Sequence, residues 1–214
     1  MQLPKLVNKK ECYRLSWFGW LLIAFIFLVF LYFVRSNLYT YLSPVKPVET
    51  KVLVVEGWVS DFAIEEVYAL FLKDKYELII TTGGPLEIGY LSKHYISAAD
   101  FAKKTLIELG MDSTKIISVP RNEVVENRTI QSAITLKNWF SENNSEIENF
   151  NLLSFGAHSR RSWLLFQEAI PEKEIGIIAL NDPRILVDKW WKTSHGTRTV
   201  LSEAIGYFYV LFFM

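Results

Sequence analysis

The distribution of apolar residues divides the chain into two regions. Residues 15 to 34 form an unbroken apolar run without a charge, whereas from residue 51 onward short apolar runs alternate with longer amphipathic stretches. At about 1.5 Å per residue, a helix of about 20 residues crosses the ~30 Å hydrocarbon core of a bilayer. The pattern therefore predicts a transmembrane anchor over residues 15 to 34 and one folded domain after it.

The charges that flank the apolar run predict its orientation. Arg35 is the only charge directly after the run, whereas four basic residues and Glu11 precede it: Lys5, Lys9, Lys10 and Arg14. Basic residues are retained in the cytoplasm. Residues 1 to 14 are thus expected to be a cytoplasmic tail of a single-pass plasma (inner) membrane protein whose domain is extracytoplasmic. A cleaved signal peptide is the alternative, but its apolar region is usually shorter and residues 34 to 36 offer no small-residue cleavage site.

Between anchor and domain lies a segment without apolar periodicity. Residues 35 to 50 contain Pro44 and Pro47, a composition typical of an extended tether. The domain is accordingly expected to cover residues 51 to 214 and to stay close to the membrane surface.

Within the domain, β-branched apolar runs alternate with helical patterns. Strands are predicted at residues 52–57, 77–84, 115–120, 151–156 and 175–180, and helices at 61–73, 97–109, 128–142, 160–169 and 197–213. This alternation predicts an α/β fold with a parallel sheet of about five strands and helices on both faces. The apolar ending of the last helix is expected to pack against the sheet rather than to touch the membrane.

Composition excludes several functional classes. Lys plus Arg and Asp plus Glu are equal at 23 each, so no basic field attracts nucleic acid. The single cysteine, Cys12, precedes the anchor, and the three histidines are scattered, so neither a disulfide framework nor a metal site is expected. The chain also lacks Walker A, G-x-G-x-x-G, G-x-S-x-G and H-E-x-x-H motifs. The residues identify no cofactor.

Polar and small residues follow the predicted strands. In a parallel sheet the ligand crevice lies beyond the carboxyl ends of the strands. The residues expected to bind a ligand there are Gly57, Trp58, Thr82, Gly83, Gly84, Glu126, Asn127, Thr129, Ser132, His158 and Arg161. Glycine backbone, helix N-termini and arginine forks together favour a phosphate or carboxylate. His158 is the candidate acid or base, since an unperturbed imidazole titrates near neutral pH.

Each of these residues also has a structural interpretation. The two glycines are typical of a strand-to-helix turn, His158 of a helix start, and Arg160 with Arg161 of a solvated helix face. Trp190 and Trp191 are expected to pack over the domain edge. The binding hypothesis depends on the convergence of the set on one edge of one sheet.

The order of these segments resembles the ElyC/SanA/YdcF family, a bacterial domain of unknown function. The segments are VLVVEGW, IITTGGP, KIISVPRNEVVENRTIQSA and LLSFGAHSRRS. They match the family's Gly-Gly turn at Gly83 and Gly84, its helix start at Thr129, and its His-x-x-Arg segment at His158 and Arg161. The chain departs from the family pattern at Asp100, Gln131, Ser132 and Ser162.

The resemblance implies a Rossmann-like fold and a role in cell-envelope biogenesis, including peptidoglycan or lipid-carrier metabolism. The leading hypothesis is a membrane-anchored factor that binds a phosphorylated small molecule or lipid-linked envelope precursor, with hydrolysis or transfer left open. Gly83, Gly84 and Arg161 would hold the anion. A non-catalytic binding or scaffold protein is one alternative. An S-adenosylmethionine-like nucleotide cofactor is another, for which Glu87 is the nearest acidic residue after the second strand.

Overall fold

The computed structural model describes residues 14–73, 76–86, 97–143 and 145–214. It divides into two compact units, one ending at Asn37 and one covering Leu38–Met214. The first unit contains most of helix α1 (Trp17–Leu42), which is long and apolar enough to cross a membrane. The basic residues before Arg14, together with Glu11 and Cys12, lie outside the described residues, as do Glu87, Tyr90 and His94.

In the described part of the unit from Leu38 to Met214, six strands form one sheet. The strands are β1 (Val45–Lys46), β2 (Val52–Glu56), β3 (Leu78–Gly83), β4 (Ile116–Pro120), β5 (Asn149–Phe155) and β6 (Glu174–Leu180). They lie in the order β1-β6-β5-β2-β3-β4, and only β1 is antiparallel to its neighbour. The α/β fold with a mostly parallel sheet is therefore confirmed. The strands could be predicted from the sequence because both of their faces are buried, and strands of this kind are nearly continuous apolar runs.

Helices cover both faces of this sheet, as predicted. They are α2 (Asp61–Lys73), α3 (Ala98–Glu108), α4 (Arg128–Glu142), α5 (Ser159–Ala169) and α6 (Ser194–Phe213). The apolar residues of α2 and α3 pack on one face around Leu53 and Ile79. Those of α4 and α5 pack on the other face around Val54 and Ile80. Neighbouring residues of one strand thus serve opposite halves of the core.

The segment predicted as an extended tether has a different structure. Helix α1 continues to Leu42, and Val45–Lys46 then pairs with β6 as the edge strand. Tyr39 and Leu42 are buried in a third apolar cluster with Val200 and Ala204 of α6. Their helical spacing places both on the face that packs against α6, and this burial favours helix over an extended chain.

The expectation that the end of α6 packs against the sheet is wrong. Gly196, Val200, Ala204 and Tyr207 form the buried stripe of this helix. All residues after Tyr207 are exposed or half-buried. The stripe contacts α5 and the short 3-10 helices at Gly156–His158 and Val187–Lys192. Trp190 is buried in the same cluster, in accord with its predicted packing role.

Candidate functional site

A crevice opens at the carboxyl edge of the sheet. The chain reverses its strand order between β2 and β5, and ligands of open α/β sheets bind at such a switch point. A cavity of about 820 Å³ lies there. It has three walls, formed by the ends of β2 and β5 with α5, by the turn after β3 with the start of α4, and by the end of α6.

The first wall contains a buried carboxylate. Glu56 ends β2 and is only 3% exposed. Ser154 Oγ donates to its Oε2, Ser162 Oγ donates to Oε1 at 3.1 Å, and His158 Nε2 lies 3.8 Å from Oε1. Burial raises the pKa of Glu56, but His158, Ser154 and Trp58 more than offset this, so the pKa is lowered overall. Glu56 is therefore ionised at neutral pH.

His158 lies between this carboxylate and a second one. Its Nδ1 is 3.1 Å from Glu203 Oε1, and the indole of Trp58 packs edge-on against the imidazole at 4.9 Å between centroids. Burial lowers the pKa of His158, yet Glu203 and Glu56 together raise it to about 9. The residue is therefore an imidazolium at neutral pH, which suits an acid or a fixed positive charge rather than a base.

Arg161 completes the first wall. Its Nε and Nη2 donate to the two oxygens of Glu203 at 2.9 and 3.2 Å, the bidentate geometry of strong ion pairs. Nη2 also lies 2.9 Å from His158 Nδ1. An imidazolium has no lone pair to accept that proton, so Glu203 lies between two cations. Burial raises the pKa of Glu203, but His158 and Arg161 lower it to about 2. We refer to Glu56, His158, Arg161 and Glu203 as the paired wall.

The opposite wall begins at the turn after β3. Gly83 has a φ of 151°, and a Cβ there would lie 2.9 Å from the Cβ of Ala98. A Cβ on Gly84 would lie 2.2 Å from Cζ of Arg121. The absent side chain of Gly84 thus makes room for the Arg121 guanidinium, whose Nη1 donates to the carbonyl of Asn122. The glycine pair therefore forms the predicted turn after the strand and also lets the guanidinium of Arg121 approach the backbone closely.

The start of α4 adds further positive potential. Asn127 is in the left-handed region with a φ of 54°, and its side chain does not cap the helix. Arg128 follows and contributes a second cation. Burial and the charge of Arg128 lower the pKa of Arg121. Neither arginine forms a salt bridge with a carboxylate in the described part of the chain. Among the described residues, exposed Glu126 is the one acid that lines this side. We refer to Gly84, Arg121, Arg128 and the first turn of α4 as the cationic wall.

The structure brings most of the predicted site residues to this crevice. Trp58, Gly83, Gly84, Glu126, Asn127, Thr129, Ser132, His158 and Arg161 line it. Gly57 and Thr82 lie behind it. Gly57 packs on the start of α3, where a Cβ would lie 2.5 Å from the carbonyl oxygen of Ala98, and Thr82 is buried with its hydroxyl toward Val55. Arg160 points away from the crevice and lies over the ring of Tyr41.

Sequence reasoning gave no role to several residues that form the site. Glu56 and Arg121 were visible as polar residues after strands, but nothing in the sequence paired them with a partner. Glu203 belongs to the last helix, 42 positions from Arg161. Its only signal was that it is the single charge in the stretch from residue 199 to residue 214.

A smaller cavity of about 150 Å³ adjoins the paired wall. Asp182 is buried there, accepts two side-chain bonds from Arg184 at 2.8 Å, and lies 3.3 Å from His195 Nε2. Burial raises the pKa of Asp182, but Arg184 and His195 lower it overall. Asp182 and Arg184 thus fix the turn after β6.

Comparison with protein-family models and with curated proteins finds no match for this chain. Among the described residues, no group of three His, Cys, Asp or Glu side chains could hold a metal ion. The fold and the crevice define a Rossmann-like α/β domain with one wall of internally balanced charges and one wall of unbalanced cations. Such an arrangement favours an anionic ligand.

Proposed function

We propose that this protein is a membrane-anchored factor of the cell envelope that binds a phosphorylated precursor in the crevice. The observation that carries the proposal is the cationic wall, where Arg121 and Arg128 lie beside the uncapped start of α4. The membrane location is supported by α1, and the envelope role by the resemblance of the segments around Gly83, Thr129 and His158 to the ElyC/SanA/YdcF family.

A phosphate at the cationic wall would relieve two unfavourable features. Burial, and after it the like charge of Arg128, lower the pKa of Arg121, and an anion between the two arginines would remove their repulsion. The first N–H groups of α4 have no helical acceptor, and the Asn127 side chain does not supply one. A phosphate offers oxygens to both sets of donors. Glu126 is exposed at the rim, where solvent weakens its repulsion.

His158 is the residue that would act as a general acid toward the same ligand. The closest carboxylate oxygen to Nε2 is 3.8 Å away, beyond hydrogen-bond distance, and Nε2 has no hydrogen-bond partner among the described residues. Nε2 is itself buried beside Trp58, so an oxygen of the ligand would reach its proton only after the indole moves aside. In hydrolysis or transfer His158 would donate this proton to the leaving oxygen.

A non-catalytic binding protein is the second candidate. Within the paired wall two carboxylates face two cations, so the cluster is neutral and needs no ligand to balance it. A turnover assay with p-nitrophenyl phosphate separates the candidates. Hydrolysis that is lost in His158→Gln while pyrophosphate still binds supports an enzyme, whereas binding without any turnover supports the binding protein.

The binding step itself is tested with pyrophosphate as the probe. The full chain in detergent is titrated by isothermal calorimetry, and saturable binding that weakens at least tenfold in Arg121→Gln is expected. Arg198→Gln is the matched control, because Arg198 is exposed on α6 outside both cavities. Equal affinity of the two variants, or no saturable binding, would remove the proposed anion site.

The membrane orientation is tested with the chain's single cysteine. In bacterial spheroplasts, a membrane-impermeant maleimide should leave Cys12 unlabelled until the cells are lysed. A Cys12→Ser chain with Leu72→Cys, a 63% exposed position on α2, should be labelled without lysis. Labelling of Cys12 in intact spheroplasts would reverse the proposed topology.

A further inference from the structure

The end of α6 exposes an unusual amount of apolar surface. After Tyr207 the helix contains no charged residue, and its large side chains are exposed: Phe208, Tyr209, Leu211, Phe212, Phe213 and Met214. Phe212 and Phe213 are 71% and 76% exposed. Contiguous apolar surface of this kind marks a site covered by a partner or a membrane. We refer to residues 208 to 214 as the apolar end of α6.

The apolar end begins where α6 meets the last turn of α1. Tyr207 Oη lies 3.1 Å from Tyr41 Oη, and the two rings meet edge-on. The Arg160 guanidinium covers the Tyr41 ring at 3.9 Å. Tyrosine and arginine side chains with an apolar body and a polar tip are typical of the headgroup level of membrane proteins. Tyr41 also lies only four residues after Asn37, the last residue of the unit that contains the anchor.

We propose that the apolar end of α6 inserts into the interface of the bilayer that α1 spans, so that the domain contacts the lipid directly. This inference rests on the membrane anchoring proposed above. The six helical residues Phe208–Phe213 extend about 9 Å, which is comparable to the 5 to 10 Å depth to which interfacial helices are buried.

Lipid contact at this position would also place the crevice at the membrane surface. Tyr209, Val210 and Met214 belong to the apolar end and line the third wall of the crevice. A ligand with a phosphate at the cationic wall and an apolar chain along α6 would therefore enter from the bilayer rather than from water.

The test uses the full chain in phosphatidylcholine–phosphatidylglycerol vesicles, with Cys12→Ser and one nitroxide-labelled cysteine at a time. Power-saturation EPR compares the collision of the label with oxygen, which concentrates in lipid, and with a nickel chelate, which stays in water. Phe213→Cys is the test position, Phe27→Cys in α1 reports the anchor, and Leu72→Cys is the exposed control on α2. We expect oxygen to dominate at Phe213 and Phe27 and the nickel chelate to dominate at Leu72.

The outcomes separate the two proposals. If the label at Phe213 behaves as at Leu72 while Phe27 lies in lipid, the lipid contact is wrong and the anchor stands. If Phe27 is accessible to nickel, the anchoring itself is wrong and the inference fails with it. Spin–spin broadening at Phe213 that disappears on dilution with unlabelled protein would show that a second copy of the chain, not lipid, covers the apolar end.

Discussion

The two charged walls of the crevice differ in how their charges are balanced. In the paired wall, Glu56 and Glu203 face His158 and Arg161, and every charge has a partner within the protein. In the cationic wall, Arg121 and Arg128 have no carboxylate partner among the described residues. The difference indicates that the paired wall contributes to folding, whereas the cationic wall contributes to binding an anion. Substitutions in the paired wall should therefore lower stability, whereas substitutions in the cationic wall should weaken anion binding.

The largest effect is expected from Glu56→Gln. The change leaves His158 charged beside a neutral amide, with Glu203 as its remaining carboxylate. Breaking a buried ion pair costs about 3 to 5 kcal/mol, and the loss is expected at the lower end of this range. Chemical denaturation should show this loss in the free energy of unfolding. Glu77→Gln is the matched control, since Glu77 pairs with Lys51 on the surface and should change stability little. Comparable stability of the two variants would show that the paired wall does not support the fold.

The second-largest effect is expected from pH, because His158 and Glu203 of the paired wall titrate and so make the stability of the domain depend on pH. His158 has a raised folded pKa of about 9, so its contribution is complete below its unfolded pKa of about 6.5 and is lost as pH rises toward 9. The rise of the pKa from about 6.5 to about 9 corresponds to a loss of about 3 kcal/mol. Glu203 has a folded pKa of about 2, so its contribution is present above pH ~4.5 and is lost as pH falls toward 2.

The measurement is the thermal midpoint across this range. The midpoint should be highest between pH ~4.5 and ~6.5 and should fall from there to pH 9. His158→Gln removes the titrating group, so its midpoint should be lower at pH 6 and flatter toward pH 9. If the thermal midpoint of His158→Gln declines equally steeply toward pH 9, the decline is caused by groups other than His158.

A third prediction contrasts the two arginines. Arg121→Gln should weaken pyrophosphate binding about tenfold or more, as expected for a lost charged hydrogen bond, with an almost unchanged thermal midpoint. Arg161→Gln should lower the midpoint, because Glu203 loses its bidentate partner. This revises the sequence-based expectation that Arg161 itself holds the anion. The reverse pattern in the two variants would restore that expectation.

The smallest effect is expected from Gly84→Ala. The added methyl would meet the far end of the flexible Arg121 side chain, which can move aside, so stability should change little and pyrophosphate affinity should fall a few-fold. Gly83→Ala is the comparison, because its positive φ and the contact with Ala98 involve the backbone and α3. It should lower the thermal midpoint more than Gly84→Ala does. Equal midpoints would show that the turn tolerates a side chain at both positions.

The sequence was sufficient for the layers of the fold because each buried strand is a continuous apolar run and each helix has its own periodicity. It was also sufficient for the crevice edge, since Gly84 directly follows β3 and His158 is the third residue after β5. It did not show the pairing of Arg161 with Glu203, because a contact across 42 positions leaves no local pattern. The prediction of an extended tether was wrong for a similar reason: Tyr39 and Leu42 are buried against residues of α6, which are distant in the sequence.

The most direct test of the anion site is a pyrophosphate titration of the isotope-labelled full chain in detergent, followed by backbone amide NMR. If the phosphate binds at the cationic wall, the amides of Arg128 and Thr129 at the start of α4 should shift saturably, with the affinity measured by calorimetry. The amide of Arg198 should stay in place. Saturable shifts confined to other regions, or no shift at Arg128 and Thr129, would contradict the account.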